Sequence, residues 1–135
     1  LYQRFLPGVV IYITITFVVF ATMLQGTFEI TGIRILGNYL VHYIVPILSI
    51  VYLFMYGGNW YKLQDILLWI VYPILYLVFM LIYGTITSDY LYPFFDLNTI
   101  TVGVFVITIV ILVVFFVILS FITLKILSIS GKTKQ

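Results

Sequence analysis

Long apolar runs alternate with short polar segments along the whole chain. Four runs, at about residues 8–25, 38–56, 65–84 and 100–124, reach the roughly 20 residues that a helix needs to cross a bilayer. The last run is rich in Val, Ile and Phe, but a lone strand in lipid would leave its backbone groups unpaired. Because the runs are apolar on all sides, a barrel of alternating strands is also disfavoured. The pattern predicts an all-α polytopic transmembrane helix bundle with four spanning helices in one domain, residues 1–135.

The composition supports a membrane protein and removes several other classes. Hydrophobic residues make up 64% of the chain and charged residues 7%, whereas a soluble domain has about 25% charged residues. The net charge of +2 is scattered near the ends of the apolar runs, so no basic patch for nucleic acid is predicted. The chain has no cysteine and one histidine, which excludes disulfides and an ordinary zinc site. We predict neither a metal nor another cofactor.

The distribution of basic residues predicts the orientation, because Lys and Arg accumulate in cytoplasmic loops. With both ends of the chain in the cytoplasm, that side has five of the six basic residues, namely Arg4, Lys62, Lys125, Lys132 and Lys134. The opposite side has Arg34 with Glu29, Asp89 and Asp96. The charge distribution therefore predicts a multi-pass protein of an inner or plasma membrane with both ends of this chain cytoplasmic.

The single histidine, His42, lies inside the second apolar run. Asn38, His42, Pro46 and Ser49 share one helical face. Pro46 cannot donate a hydrogen bond to the carbonyl of His42, which predicts a kink. An imidazole beside a polar partner suits a general base, and an ionisable side chain in a spanning helix is by default a functional-site hypothesis. His42 is our candidate base and Asn38 its candidate orienting group; the alternative is that both only hydrogen-bond neighbouring helices.

Three tyrosines are weaker candidates for binding a substrate. Tyr72 and Tyr76 lie one helical turn apart around Pro73, and Tyr92 begins an aromatic loop segment. Their alternatives are local packing for the first two and an interfacial loop for the third. The hydroxyls of the first and last runs are expected to bond their own preceding carbonyls, which makes each a poor nucleophile by itself.

The order and spacing of these motifs resemble a known family. The succession is Asn38-x-x-x-His42-Tyr43-x-x-Pro46, Trp69-Ile70-Val71-Tyr72-Pro73-x-x-Tyr76, Tyr83-Gly84 and Tyr92-Pro93-Phe94-Phe95-Asp96. It resembles the androgen-induced and androgen-dependent integral membrane protein family over nearly the whole chain. The resemblance implies a helical membrane hydrolase that cleaves fatty-acid esters of hydroxy fatty acids, with a threonine nucleophile and a histidine partner to which His42 corresponds.

The resemblance also implies helices before the first apolar run. Family members have about six helices, and their threonine lies upstream of the residues in this chain; Thr14 and Thr16 do not match it by position. Because the chain starts with Leu1, we expect a preceding portion of about two helices. The leading hypothesis is an integral membrane lipid-ester hydrolase with a Thr/His mechanism, of which only the histidine is present here. Its partners would be membrane lipids and a lipid-ester substrate. The alternatives are a noncatalytic binding or scaffold protein and, third, a small transporter.

Overall fold

The computed structural model describes residues 2–27, 30–58 and 61–130, which form helices and loops without a strand. Four helices are long and apolar enough to cross a membrane. Helix α1 comprises Tyr2–Val19 and the π turn Phe20–Leu24; α2 comprises Ile33–Tyr39, the π turn Leu40–Ile44 and Val45–Tyr56; α3 comprises Asp65–Trp69 and Val71–Thr87; α4 is Val102–Ser130. A 3-10 turn, Pro93–Phe95, lies between α3 and α4. The predicted all-α membrane bundle is confirmed.

The helices extend beyond the predicted apolar runs. Helix α1 begins at Tyr2 rather than near residue 8, α2 begins at Ile33 rather than near residue 38, and α4 continues to Ser130 rather than ending near residue 124. The added turns contain Arg34 and Lys125, both exposed. Long basic side chains can keep their charge in water while their stems follow an apolar surface. A prediction from hydropathy alone therefore makes such helices too short.

The predicted orientation depends partly on residues that lie outside the described ones, namely Glu29, Lys132 and Lys134. The orientation therefore stays a prediction.

Helix α1 is the central helix and packs against the other three. Its Val10 packs with Leu53 of α2 and Leu127 of α4. The next residue, Ile11, packs with Trp69 of α3 and Phe116 of α4. In its most apolar stretch 28% of α1 is buried, against 11% of α2, 17% of α3 and 6% of α4. The outer three helices thus leave most of their apolar surface open to lipid or to further helices.

Polar contacts join α1 to α3 at the end that contains Asp65. The Asp65 side chain is 1% exposed and accepts a hydrogen bond of 3.0 Å from Nε of Arg4. A second Arg4 nitrogen bonds the same oxygen, and the backbone N–H of Lys62 donates to the other oxygen at 2.8 Å. The indole N–H of Trp69 donates to the carbonyl of Arg4 at 2.7 Å. The buried carboxylate has both oxygens bonded, as a buried charge requires.

One turn further along, a proline in α3 is accommodated by a tyrosine of α1. Pro73 lacks the N–H that would bond the carbonyl of Trp69, and the hydroxyl of Tyr12 donates to that carbonyl instead. Gly8 lets the helices approach this closely, since a Cβ there would lie 2.8 Å from the Trp69 ring. We call Arg4, Gly8, Tyr12, Asp65 and Trp69 the Asp65 region.

Candidate functional site

The two π turns of the bundle lie side by side, one in α1 and one in α2. In each, a backbone N–H bonds the carbonyl five residues earlier: Gln25 donates to Phe20 at 2.8 Å, and Val45 donates to Leu40. Pro46 lies two residues after the last residue of the α2 turn, Ile44. Where the sequence predicted a kink, the helix thus has a wider turn next to the residue that cannot donate. Single π turns within helices are frequent at functional sites.

The imidazole of His42 is held between these turns. It stacks on the ring of Phe20 with centroids 3.9 Å apart and planes 5° from parallel. Its Nδ1 atom is buried and has no hydrogen-bond partner among the described residues. Leaving a buried polar atom unpaired costs about 1–3 kcal/mol. The ring is therefore held by packing, and its buried Nδ1 atom is left without a hydrogen bond.

A cavity of about 220 Å³ adjoins this stack, and its walls come from the two π turns, the loop between α1 and α2, and the first segment of α2, Ile33–Tyr39. Phe20, which stacks on His42, also lines the cavity together with Asn38. No hydrogen bond joins Asn38 to His42 among the described residues, so the predicted orienting role of Asn38 has no direct contact behind it. The Ser49 hydroxyl bonds the carbonyl of Pro46 at 2.8 Å instead of pointing to His42.

Two further polar residues lie at this cavity and were missed from the sequence. The hydroxyl of Tyr43 donates to the amide oxygen of Gln25 at 2.6 Å, and both residues line the cavity. That bond leaves the Gln25 amide N–H groups free to donate. Tyr43 could have been predicted, because it follows His42 directly in the sequence. Gln25 lies at the end of an apolar run, and nothing in the sequence indicated a role for it. We call Phe20, Gln25, Asn38, His42 and Tyr43 the His42 region.

The three tyrosines predicted as substrate-binding residues are brought together, but away from His42. The rings of Tyr72 and Tyr76 stack at 6.3 Å, and the hydroxyl oxygens of Tyr76 and Tyr92 are 3.3 Å apart. Tyr12 stacks on Tyr72 at 5.0 Å. Tyr12 and Phe20 are eight residues apart on α1, or about 12 Å of helix rise. The tyrosines and the histidine are therefore two separate sites.

Most of the Ser and Thr hydroxyls of α1 and α4 bond within their own helices. Five of them donate to the carbonyl four residues earlier: Thr14, Thr16, Thr22, Thr108 and Ser120. The expectation of local bonding is confirmed for these residues. The described residues contain no group of three His, Cys, Asp or Glu side chains that could hold a metal ion. No hydroxyl of this set is directed to His42.

These features define a multi-pass helical membrane protein with an intramembrane histidine between two π turns. No family model matches the chain, and no curated protein or solved structure matches it.

Proposed function

We propose that this chain provides the base of an intramembrane lipid-ester hydrolase, and that His42 is that base. The supporting observation is the buried, unpartnered Nδ1 of an imidazole that packing on Phe20 holds in one orientation. An unpaired polar atom in a spanning helix is costly, and a site that must accept a proton during a reaction gives a reason to keep it.

In this proposal the imidazole takes the proton of a threonine hydroxyl as that oxygen attacks the ester carbonyl. The proton then passes to the leaving alcohol, and water releases the acid in a second step that uses the same base. The proposal places the threonine on a further helix that approaches His42. His42 itself is only partly buried, so part of its imidazole is open to such a helix.

The cavity beside Phe20 suits the polar part of the substrate. Its amide groups, from Gln25 and Asn38, can donate to ester or hydroxyl oxygens. A volume of about 220 Å³ accommodates a small head rather than a long acyl chain. We therefore infer that the chain of the lipid lies outside the cavity, along the exposed apolar surface of α2.

Labelling with a fluorophosphonate tests this function, because the reagent reacts with an activated hydroxyl. The complete protein in detergent should label, and His42→Ala should abolish labelling while the folded protein stays abundant. Tyr52→Phe is the control, since Tyr52 lies on the same helix, is 45% exposed and contacts Tyr56 rather than the His42 region. Labelling of His42→Ala at the wild-type rate would remove His42 from the mechanism.

The stack on Phe20 also supports a second candidate, a noncatalytic binding or scaffold protein in which His42 joins α1 to α2. That function predicts that the complete protein does not label, and that His42→Ala lowers the unfolding temperature through the lost ring contact. The two candidates thus differ in wild-type labelling.

We also propose that both ends of this chain lie in the cytoplasm, on the charge distribution given above. The chain has no cysteine, so single cysteines report without background. A membrane-impermeant maleimide added to intact cells should label Thr31→Cys and not Ser128→Cys. The reverse pattern would contradict the orientation.

A further inference from the structure

The hydroxyls of Tyr76 and Tyr92 form a pair deep in the membrane-spanning part of the protein. Their oxygens are 3.3 Å apart. Tyr76 is eleven residues from Asp65 and eleven from Thr87, the two ends of α3, which is about 16 Å of helix rise in each direction. The pair therefore lies about halfway along the spanning helix α3, whichever way the protein is oriented.

A fold-back of the loop after α3 brings Tyr92 to this depth. Ser88 ends α3 in the left-handed conformation, with φ of 57°. The chain then returns along the helix, where the ring of Tyr90 packs directly against Gly84. Any side chain at position 84 would collide with this ring. Phe95 fixes the other side of the loop by an edge contact with Phe105 of α4 at 5.9 Å. The loop is thus held against the bundle by aromatic contacts.

One of the two hydroxyl hydrogens of this pair has no acceptor among the described residues. Each phenol has one O–H donor, and whichever of the two donates to the other, the second hydrogen has no acceptor among the described residues. Tyr76 is 37% exposed. The spare hydrogen can therefore reach a ligand from the lipid.

Exposed aromatic rings flank the pair along α3. Tyr72 is 57% exposed and Phe79 is 58% exposed, and they stack or tilt against the Tyr76 ring at 6.3 and 6.5 Å. The hydrogen bonds and ring contacts of Tyr76 and Tyr92 include no charged side chain. The surroundings suit a flat, neutral molecule that offers a hydrogen-bond acceptor.

We propose that Tyr76 and Tyr92 bind a carbonyl oxygen of a membrane-soluble quinone, whose ring lies against Tyr72 and Phe79. A quinone combines a flat neutral ring with carbonyl acceptors and dissolves in the hydrocarbon core. Phospholipid ester groups lie in the interfacial region, outside the roughly 30 Å core, and do not reach this depth. The site is separate from the His42 region, so the proposal does not depend on hydrolysis.

Binding of a decyl-substituted benzoquinone to the complete protein in phosphatidylcholine nanodiscs tests this site. An azido derivative should photolabel Tyr72, Tyr76, Phe79 or the loop around Tyr92 in a saturable manner. Tyr76→Phe/Tyr92→Phe, which removes both phenols, should weaken binding about threefold to tenfold, the effect of one hydrogen bond. Tyr76→Phe alone should weaken binding less, because Tyr92 keeps an O–H that can donate to the ligand. Tyr83→Phe is the matched control: Tyr83 lies on the same helix and is also 37% exposed, but its ring contacts Phe79 rather than a second phenol.

Competition with a long-chain ester that has a carbonyl but no ring tests the second half of the proposal. The ester should displace the photolabel weakly, because it gains the hydrogen bond and not the ring contacts. Equal displacement by ester and quinone would overturn the assignment to a quinone, and equal quinone affinity in all three variants would overturn the site. Unfolding midpoints of the three variants, expected within about 2 °C of each other, separate lost binding from lost folding.

Discussion

The Asp65 region and the His42 region both place polar groups within apolar helices, and they satisfy those groups differently. Asp65 is 1% exposed and has both oxygens bonded, and the carbonyl that Pro73 frees accepts a hydrogen bond from Tyr12. At the other site the Nδ1 atom of His42 is buried without a partner among the described residues, and a cavity adjoins Phe20, the ring on which His42 stacks. The first region has the properties of a structural joint between α1 and α3. The second keeps an unsatisfied group, which is typical of a site that awaits a ligand or a reaction.

This difference predicts that stability resides mainly in the Asp65 region and that the His42 region can be altered at little cost. In lipid, packing and interhelical hydrogen bonds join helices, because apolar surface is not expelled from apolar surroundings. The Asp65 region provides both kinds of contact around Trp69, which is fully buried. Substitutions in the Asp65 region, each measured beside a matched substitution elsewhere in the chain, test this prediction.

Arg4→Leu should have the largest effect on stability, because it leaves the buried Asp65 carboxylate without its cation. We expect a loss of about 2–3 kcal/mol in unfolding free energy, below the full cost of breaking a buried pair since Arg4 is half exposed. Chemical unfolding in mixed micelles measures it. Lys125→Leu, a change at an exposed position, should cost less than about 0.5 kcal/mol. Equal losses in the two variants would show that the ion pair does not join α1 to α3.

Gly8→Ala should cause the second largest loss of stability, because its Cβ would lie 2.8 Å from the Trp69 ring. Overpacking of this kind costs about 1–3 kcal/mol. The matched change near the His42 region is Gly37→Ala in α2, next to Asn38, where nothing lies within 4 Å of the added atom. There the helix should gain about 0.5–1 kcal/mol. Unfolding midpoints measured side by side should move in opposite directions, and a shared direction would contradict the packing around Trp69.

Tyr12→Phe should have a smaller effect, because it removes one donor and keeps the ring. The carbonyl of Trp69 would lose its partner at a cost of about 1 kcal/mol. Tyr43→Phe removes an exposed hydroxyl bonded to Gln25 and should cost less than about 0.5 kcal/mol. If the two losses are equal, or if Tyr43→Phe costs more, the two regions do not differ in the way described here.

The sequence predicted the helices better than the contacts between them. Membrane-length apolar runs predict spanning helices because lipid admits few other backbone structures. The pairing of Arg4 with Asp65 joins residues 61 positions apart, and no local pattern carries that information. Pro73 indicated a free carbonyl on Trp69, but the donor, Tyr12, lies on another helix and became visible only in the fold.

The candidate sites were predicted in part for the same reason. His42 was identified by its rarity in an apolar helix, whereas the stack on Phe20 and the π turn Phe20–Leu24 had no signal, since that segment contains neither Pro nor Gly. Tyr72 and Tyr76 share a helix, so their proximity follows from their spacing. Tyr92 joins them only because the loop turns back at Ser88, and a left-handed serine is not foreseeable from a sequence of this kind.

The most direct test of the functional claim is the fluorophosphonate labelling rate of His42→Phe in the complete protein. Phenylalanine keeps a planar ring for the stack on Phe20 but cannot accept a proton. If His42 is the base, labelling should fall by at least about a hundredfold, while the unfolding midpoint stays equal to that of the wild type or rises because no unpaired nitrogen is buried. Labelling of His42→Phe at the wild-type rate would contradict a catalytic role for His42.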